Sequence, residues 1–249
     1  MNKQVIFHYC TFIFGGFIAL HIIWAVSAAI LQMHALPSPL FVYGAWARAL
    51  SSGMAAHLIA SIGRAMASLG IALAIGILLG IPMGYNKKID SFLGPLLYFS
   101  YPVPKLALLP VVMLLFGIGE LPKIIIIVLI IVFQLVLSIR DAVKAVPEED
   151  YALLTSLQAS FAQKLRHIIL PAILPAIFSS LRVSIGIVFS ALFFTETFGT
   201  DKGLGFYITD NQMRLDYALM YFGIIILSLS AFLLFLAVDI ADKTLCRWR

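Results

Sequence analysis

Residues 141–175 read DAVKAVPEEDYALLTSLQASFAQKLRHIILPAILP and lie between two nearly unbroken apolar blocks, 121–139 and 177–194. The stretch carries Glu, Asp, Lys, Arg and Gln, which are too costly to place in hydrocarbon, so it must project from one side of a membrane. Its apolar residues recur at helical spacing: Leu153, Leu154, Leu157, Phe161, Leu165, Ile168 and Ile169. This pattern predicts two short amphipathic helices with a break near residues 158–160.

The composition places the rest of the chain in a membrane. Of the 249 residues, 62% are apolar and only 12% are charged, which is outside the range of soluble globular domains. Because one membrane-spanning helix needs about 20 apolar residues, several spans use up the whole length. We therefore expect an all-α integral membrane protein with a single domain, 1–249, and no separate soluble domain.

Apolar segments predict about six transmembrane helices, near residues 5–31, 61–84, 92–116, 121–139, 176–198 and 217–240. The first is too long for a signal peptide, whose apolar region has about 7 to 15 residues, and is expected to stay uncleaved. The third contains Pro102, Pro104 and Pro110. A proline break survives in a membrane only where protein or water satisfies the freed backbone groups, so we expect this span to face the interior of a bundle.

The distribution of Lys and Arg predicts the orientation. With the N-terminus inside, ten of these residues lie on the cytoplasmic side and five on the other. The ten are Lys3, Lys87, Lys88, Arg140, Lys144, Lys164, Arg166, Lys243, Arg247 and Arg249, and the five are Arg48, Arg64, Lys123, Lys202 and Arg214. Both termini and the 141–175 stretch are therefore expected to be cytoplasmic.

Two segments are predicted on the outer face. Ser38 suits a helix N-cap and Pro39 the first helical position, which predicts an interfacial helix from there to about Leu50. Such a helix places three aromatic residues at the lipid headgroups: Phe41, Tyr43 and Trp46. The second segment, 199–216, is rich in glycine and is expected to form a turn or a re-entrant cap.

Several function classes are disfavoured. The net charge of +5 comes from Lys and Arg in loops beside apolar blocks, so topology explains it and nucleic acid is not an expected partner. Cys10 and Cys246 stand at opposite chain ends, and the five histidines have no metal-site spacing. No catalytic set and no G-x-x-x-x-G-K-[ST] phosphate loop occurs. If a nucleotide drives this protein, another chain must bind it.

Three charged residues lie within predicted spans or at their ends. Lys105 either marks a solute pathway or caps the proline break, and we weigh these alternatives equally. Glu196 either lines the pathway or forms a structural hydrogen bond to a neighbouring loop, the second being favoured. Arg182 is expected to extend toward the cytoplasmic headgroups.

The 141–175 stretch is itself a candidate site. A solvated loop without a partner is the alternative, but regular apolar stripes on a small helical hairpin favour a docking surface. The residues expected to form it are Tyr151, Leu154, Leu157, Gln158, Ala159, Ser160, Phe161 and Lys164.

This stretch resembles the cytoplasmic signature loop of permease subunits in bacterial ABC importers, which has the form E-A-A, three residues, G, nine residues, I-x-L-P. The end of the motif matches Ile168-Ile169-Leu170-Pro171. Counting back places Gln158 at the glycine position and Ala152-Leu153-Leu154 at the E-A-A position, and the acidic residues are displaced to 148–150. Glycine allows a sharp turn at this position, and Gln adopts that conformation less easily than glycine does.

Further matches, spread over residues 36–240, are similar to the nitrate, sulfonate and taurine branch of these permeases. They are Leu36-Pro37-Ser38-Pro39, His57-Leu58 with Ser61 and Arg64, Gly80-Ile81-Pro82-Met83-Gly84, the run 104–110 (PKLALLP), the run 116–120 (FGIGE), Glu196, and Gly203-Leu204-Gly205. Each piece is weak alone, but their order and spacing together are specific.

The resemblance implies a transporter core at about 55–240, in the bacterial inner membrane. It also implies a pathway formed with a second permease subunit, expected to be identical. Two ATPase subunits, which bind the ATP, would dock on the coupling helices around 151–164, and a periplasmic binding protein would deliver a small, often anionic solute or vitamin precursor.

The competing interpretation is a stand-alone channel or an ion-coupled carrier. Such a protein usually buries carboxylates or histidines near the membrane midplane, and no acidic residue is central in any predicted span. A membrane-embedded enzyme would need clustered histidines or carboxylates at one membrane face, and these are lacking.

Overall fold

The structure is a computed structural model that describes residues 3–248, with the side chains of 3–14 left out. Predictions that concern the side chains of Lys3, His8 and Cys10, or Arg249, therefore lie outside the described residues. All the regular structure in the described part of the chain is helical.

Twelve α-helices follow one another along these residues. They are α1 (Lys3–Leu31), α2 (Pro39–Gly44), α3 (Trp46–Ser51), α4 (Met54–Tyr85), α5 (Lys87–Ser100), α6 (Leu109–Phe116), α7 (Glu120–Lys144), α8 (Glu148–Ser156), α9 (Phe161–Lys164), α10 (Leu170–Thr195), α11 (Leu204–Met213) and α12 (Tyr217–Leu245). A 3₁₀ turn, Lys105–Leu108, precedes α6, and a π-helical turn, Leu165–Ile169, joins α9 to α10. All six predicted spans are thus helical.

Four continuous helices in the described residues are long and apolar enough to cross a membrane: Met54–Tyr85, Glu120–Lys144, Phe161–Thr195 and Tyr217–Leu245. The pair 87–100 and 105–116 adds a fifth span if its two halves are counted together. The described apolar part of α1, Gly15–Leu31, is shorter. The core lies where α4, α7 and α10 meet.

Glycines bring α4 and α7 together. Gly76, Gly80 and Gly84 recur every four residues and therefore share one face of α4. A Cβ atom added to Gly80 would lie 2.9 Å from Ile139 Cβ, and one added to Gly84 would lie 2.7 Å from the Arg140 carbonyl oxygen. Small residues at this spacing allow close approach of helices in membranes.

The third predicted span differs from its expectation. It is bent by 81° between α5 and the 105–116 segment, where Pro102 and Pro104 stop the helix. No residue of α5 is fully buried, but Ile89, Leu93 and Leu97 pack against the core, so only one face of α5 meets the bundle. In α6, Leu109 and Val112 are buried against Ile126 of α7.

The fifth span begins earlier than predicted. Instead of starting near residue 176, one apolar helix runs from Phe161 to Thr195. Pro171 follows closely on the π-helical turn Leu165–Ile169. Proline cannot donate to the helical ladder, and the change to π-helical bonding at this point interrupts the regular ladder without ending the helix. The second helix of the cytoplasmic hairpin is therefore continuous with a membrane span.

The outer face is more helical than expected. Ser38 is the predicted N-cap, and its hydroxyl accepts from Phe41 N. The single predicted interfacial helix is divided into α2 and α3 at Ala45. The glycine-rich segment 199–216 contains a regular helix, α11, rather than only a turn.

Candidate functional site: a cytoplasmic hairpin and buried charge clusters

Helices α8 and α9 form the predicted cytoplasmic hairpin, with Gln158 at its turn. Gln158 has φ 55°, the left-handed conformation that glycine adopts most easily. The Ala159 amide donates to the Leu154 carbonyl and the Gln158 amide to the Thr155 carbonyl, both at 2.9 Å. These two bonds form a Schellman cap at the end of α8. The residue at the family's glycine position thus makes the turn that a glycine would make.

The second arm of the hairpin is fixed by side-chain bonds. Ser160 and Gln163 form a reciprocal capping box at the start of α9. Lys164 Nζ donates to Thr155 Oγ1 at 2.9 Å, which ties the end of α9 to α8. The hairpin is therefore an ordered unit and not a loose loop.

Aromatic side chains attach the hairpin to the membrane bundle. The Tyr85 ring, at the end of α4, makes edge contacts with the rings of Tyr151 and Phe161, at centroid distances of 5.7 and 5.2 Å. Tyr151 also packs against an apolar cluster that includes Ile139 and Ile173. The hairpin is thus in direct contact with α4, α7 and α10, so a displacement of the hairpin would act on these three helices.

The predicted docking residues divide into two groups. Tyr151, Leu154, Ala159 and Lys164 are half-buried and hold the hairpin together. The others are exposed: Leu157, Gln158, Ser160 and Phe161. Leu157 and Phe161 expose 69% and 51% of their surface, and Leu153, which was not among the predicted docking residues, exposes 62%. The hairpin thus carries three exposed apolar side chains.

At the opposite end of α10, Glu196 is completely buried. Arg64 Nη1 donates to its carboxylate at 2.6 Å, and the Gly205 amide donates at 2.8 Å. Ser61 Oγ lies 2.8 Å from both carboxylate oxygens. Glu196 therefore joins α4, α10 and the start of α11 at one point.

Arg64 continues this cluster to α7. Its guanidinium makes a two-point contact with Glu120, with Nη2 2.6 Å from Oε1, and Nη1 also donates to the Lys202 carbonyl at 2.9 Å. Lys123, also buried, donates to the carbonyl oxygens of Gly119 and Gly199. Two cations and two carboxylates balance the charge here. We refer to Ser61, Arg64, Glu120, Lys123 and Glu196 as the outer charge cluster.

The outer charge cluster requires glycine beside it. Gly203 has φ 123°, and a Cβ atom placed there would lie 2.6 Å from Arg64 Nη1. A Cβ on Gly205 would lie 2.5 Å from the Phe193 carbonyl oxygen. The Gly203-Leu204-Gly205 motif therefore lets the chain pass directly over the ion pair.

Lys105 lies at the 81° elbow. Its ammonium group donates to the carbonyl oxygens of Ser100 at 2.7 Å and Tyr101 at 2.6 Å. It also lies 4.9 Å from the centroid of the Phe133 ring on α7. The side chain thus satisfies the last carbonyl groups of α5, as the capping alternative expected.

Arg182 does not extend freely to the headgroups as predicted. It pairs with Asp239 at 3.1 Å and with Asp242 at 2.6 Å, both on α12. The two carboxylates lie one turn apart on the same face, so they hold the guanidinium within the bundle. This pair connects α10 to α12 near the cytoplasmic end.

Two cavities lie at the two ends of one face of the span 161–195. The inner one, about 630 Å³, is bounded on this span by Ile168, Ala172, Pro175, Ala176 and Ser179. The outer one, about 640 Å³, reaches Phe194 and continues to Phe198 and Gly199. Between them, Val183, Gly186 and Ser190 are exposed on the same face.

Sequence reasoning did not identify most of the polar partners. Ser61 and Glu120 were named only as motif residues, Arg64 and Lys123 also entered the charge count that predicts orientation, and Asp239 and Asp242 were given no role. The available signal was the presence of opposite charges at similar membrane depth, because an intramembrane charge is rarely left unpaired. In the described residues, no group of three His, Cys, Asp or Glu side chains is placed to hold a metal.

Comparison with known proteins agrees with this architecture. Residues 72–247 match the family described as binding-protein-dependent transport system inner membrane component. The taurine transport system permease protein TauC of Escherichia coli (strain K12) is 36% identical over 192 residues, covering 77% of this chain and 70% of that protein. The putative aliphatic sulfonates transport permease protein SsuC of Bacillus subtilis (strain 168) is 29% identical over 230 residues, covering 91% and 83%.

A solved structure shows the same fold. An inward-facing structure of the MetNI methionine ABC transporter superposes with a TM-score of 0.56, at 16% identity, over 80% of this chain and 94% of that one. The curated relatives are transport permeases and not enzymes. The chain belongs to the binding-protein-dependent transport system inner membrane components, as the permease subunit of an ABC importer in the nitrate, sulfonate and taurine branch.

Proposed function

We propose that this permease works in an ATP-driven importer in the bacterial inner membrane, with both termini in the cytoplasm. Two ATPase subunits bind the ATP and dock on the α8–α9 hairpin, a second identical permease completes the pathway, and a periplasmic binding protein delivers the solute. The observation that carries this proposal is the ordered hairpin, which exposes Leu153, Leu157 and Phe161 to the cytoplasm. Exposed apolar side chains grouped on one small helical unit favour a protein partner.

The hairpin is suited to transmit movement. Its second arm runs without interruption into the span that ends at Thr195, and Glu196 follows in the outer charge cluster. Displacement of α9 by an ATPase would therefore move a single helix whose far end is bonded to α4 and α11, and through Arg64 to α7. This arrangement supports alternating access by rocking of packed helices.

The pathway is proposed to follow the face of α10 that lies between the two cavities. This face carries Ser179, Gly186 and Ser190 at membrane depth, and small or hydroxylated residues suit a polar solute better than they suit lipid. The second permease would close this face from the other side. Of the predicted pathway candidates, Glu196 and Arg182 are held in ion pairs with α4 and α12, which leaves Lys105 as the candidate without a carboxylate partner.

The proposed solute is a small anion. The named relatives transport taurine, aliphatic sulfonates, bicarbonate and nitrate, and another is a formylaminopyrimidine permease. Most of these solutes carry a compact negative group. An anion is therefore the first class to test.

Reconstitution tests the energy source. Proteoliposomes containing the permease with its co-purifying ATPase would be given ATP or a non-hydrolysable analogue, with taurine, butanesulfonate, nitrate and bicarbonate as labelled solutes and the cognate binding protein present. We expect uptake only with hydrolysable ATP. Uptake by the permease alone, driven by a proton or sodium gradient, would instead identify an ion-coupled carrier and contradict the proposal.

A further inference from the structure

Lys105 differs from the other cations of the membrane-spanning helices. Arg64 and Arg182 each pair with two carboxylates. Lys123 has no carboxylate within 4 Å, but it is only 2% exposed and lies inside the neutral outer charge cluster. In the part of the chain that the structure describes, two half-buried cations of these spans have no carboxylate within 4 Å, Lys105 and Lys164. Lys164 belongs to the hairpin, where it donates to Thr155, whereas Lys105 lies at the bend of a span.

The ammonium group of Lys105 is nevertheless held in place. Two of its three N–H donors are used by the carbonyl oxygens of Ser100 and Tyr101, and the Phe133 ring lies on another side. An ammonium has three donors and no acceptor, so one donor and a full positive charge remain. Neutral carbonyls position this charge without cancelling it.

An uncompensated charge is expensive at membrane depth. Its neighbours Val103, Leu106 and Ala107 are apolar, and an isolated cation in such surroundings is disfavoured. The charge is more readily explained if an anion approaches it for part of the transport cycle. The outer cavity of about 640 Å³ is lined by Leu106 and Ala107, which follow Lys105 directly, and not by Lys105 itself. The ammonium group therefore lies beside the cavity, next to Phe133, and the cavity is large enough for a small organic solute.

We propose that Lys105 contacts the anionic group of the transported solute and selects for small anions such as a sulfonate or nitrate. This inference rests on the proposed function. A compact ammonium acts on an oxyanion as a point charge, and its fixed position means that little side-chain freedom is lost when the solute arrives. Lys105 is thus a specificity-determining residue as well as the cap of α5.

Three substitutions separate these two roles. K105Q keeps N–H donors for the carbonyl groups but removes the charge, K105R keeps both, and K105M removes both. Uptake of the four anions named above would be measured in proteoliposomes of the assembled complex, with K88M as a matched control, because Lys88 lies at the exposed cytoplasmic start of α5. Thermal stability and ATPase co-purification would be recorded for each variant.

The proposal expects K105Q and K105M to raise the KM for the transported anion at least tenfold, while K105R changes it less than threefold and K88M leaves it unchanged. All variants should co-purify with the ATPase. If no ATPase co-purifies with the unmodified protein, the proposed function fails, and this result says nothing about the role of Lys105. A K105Q variant that transports the anion normally would show that Lys105 is only a cap. Transport by the unmodified complex of none of the four anions would also overturn the proposal.

Discussion

At the scale of single residues, Gln158 and Glu196 show two kinds of local constraint. Gln158 occupies a left-handed conformation that disfavours a side chain by about 1 kcal/mol or more, yet it completes the cap between α8 and α9. Glu196 is a carboxylate without solvent contact, held by three donor groups, Ser61 and Arg64 on α4 and the Gly205 amide on α11. The first is a mild backbone strain and the second is a charge that depends on its partners.

Replacing Gln158 tests the strain. We expect Q158G to raise the free energy of unfolding by up to about 1 kcal/mol, because glycine adopts positive φ without steric conflict. Q158V should lower it by a similar amount or more, since a β-branched residue fits this region worst. Titrating each detergent-solubilised variant with dodecyl sulfate gives its free energy of unfolding, and hence the order of stability of the variants. Equal stability of Q158G and Q158V would contradict the assigned backbone conformation.

Replacing Glu196 tests the outer charge cluster. E196Q leaves Arg64 without its buried counter-ion, and the new side-chain NH₂ group would face N–H and O–H donors instead of acceptors. We therefore expect the free energy of unfolding to fall by about 3–5 kcal/mol. E120Q is the matched control, since the Glu120 side chain is 61% exposed and should cost less than about 1 kcal/mol. The same unfolding titration applies. A control variant as unstable as E196Q would show that burial does not determine the effect.

At the scale of elements, α4 and α7 pack closely because three glycines share one face. Sequence periodicity predicted both helices, but it did not predict this contact, since the motif 80–84 was quoted only as a family match. The pairing of Arg64 with Glu196, 132 residues apart, was equally inaccessible. Distances between elements depend on packing, which a single sequence shows only as scattered small or charged residues.

Alanine substitutions in α4 test the close contact. G80A and G84A should each lower the free energy of unfolding by about 1–3 kcal/mol, because the added methyl group overlaps residues of α7. G70A on the same helix is the control, since its Cβ would meet no atom within 4 Å. Better helix propensity should make G70A neutral or up to about 1 kcal/mol more stable. A destabilising G70A together with a neutral G84A would contradict the packing.

At the scale of the whole molecule, the structure is a bundle of apolar helices with an ordered helical hairpin at one end and a charge cluster at the other. The break near residues 158–160, the six helical segments and the Ser38 cap were predictable, because each depends on local patterns. The continuity of Phe161–Thr195 was not predictable, since Pro171 and Pro175 indicate a boundary unless a π-helical turn accommodates them. The sequence did not show that one face of α5 is exposed. The carbonyl groups freed at the end of α5 accept from Lys105 and not from a neighbouring helix, so the proline break did not require burial of the whole span.

The central claim, that the hairpin docks an ATPase, is tested most directly by affinity purification of the tagged permease from detergent-solubilised membranes. The variants are L157D and F161D, combined in one chain. M213D is the matched control, because Met213 is an exposed apolar residue, 76% accessible, at the end of α11 and not on the hairpin. We predict that an ATPase with a phosphate loop co-purifies with the unmodified protein and with M213D, and is lost from the double variant while the permease stays monodisperse. Absence of an ATPase from the unmodified protein, or its full retention by the double variant, would contradict the account.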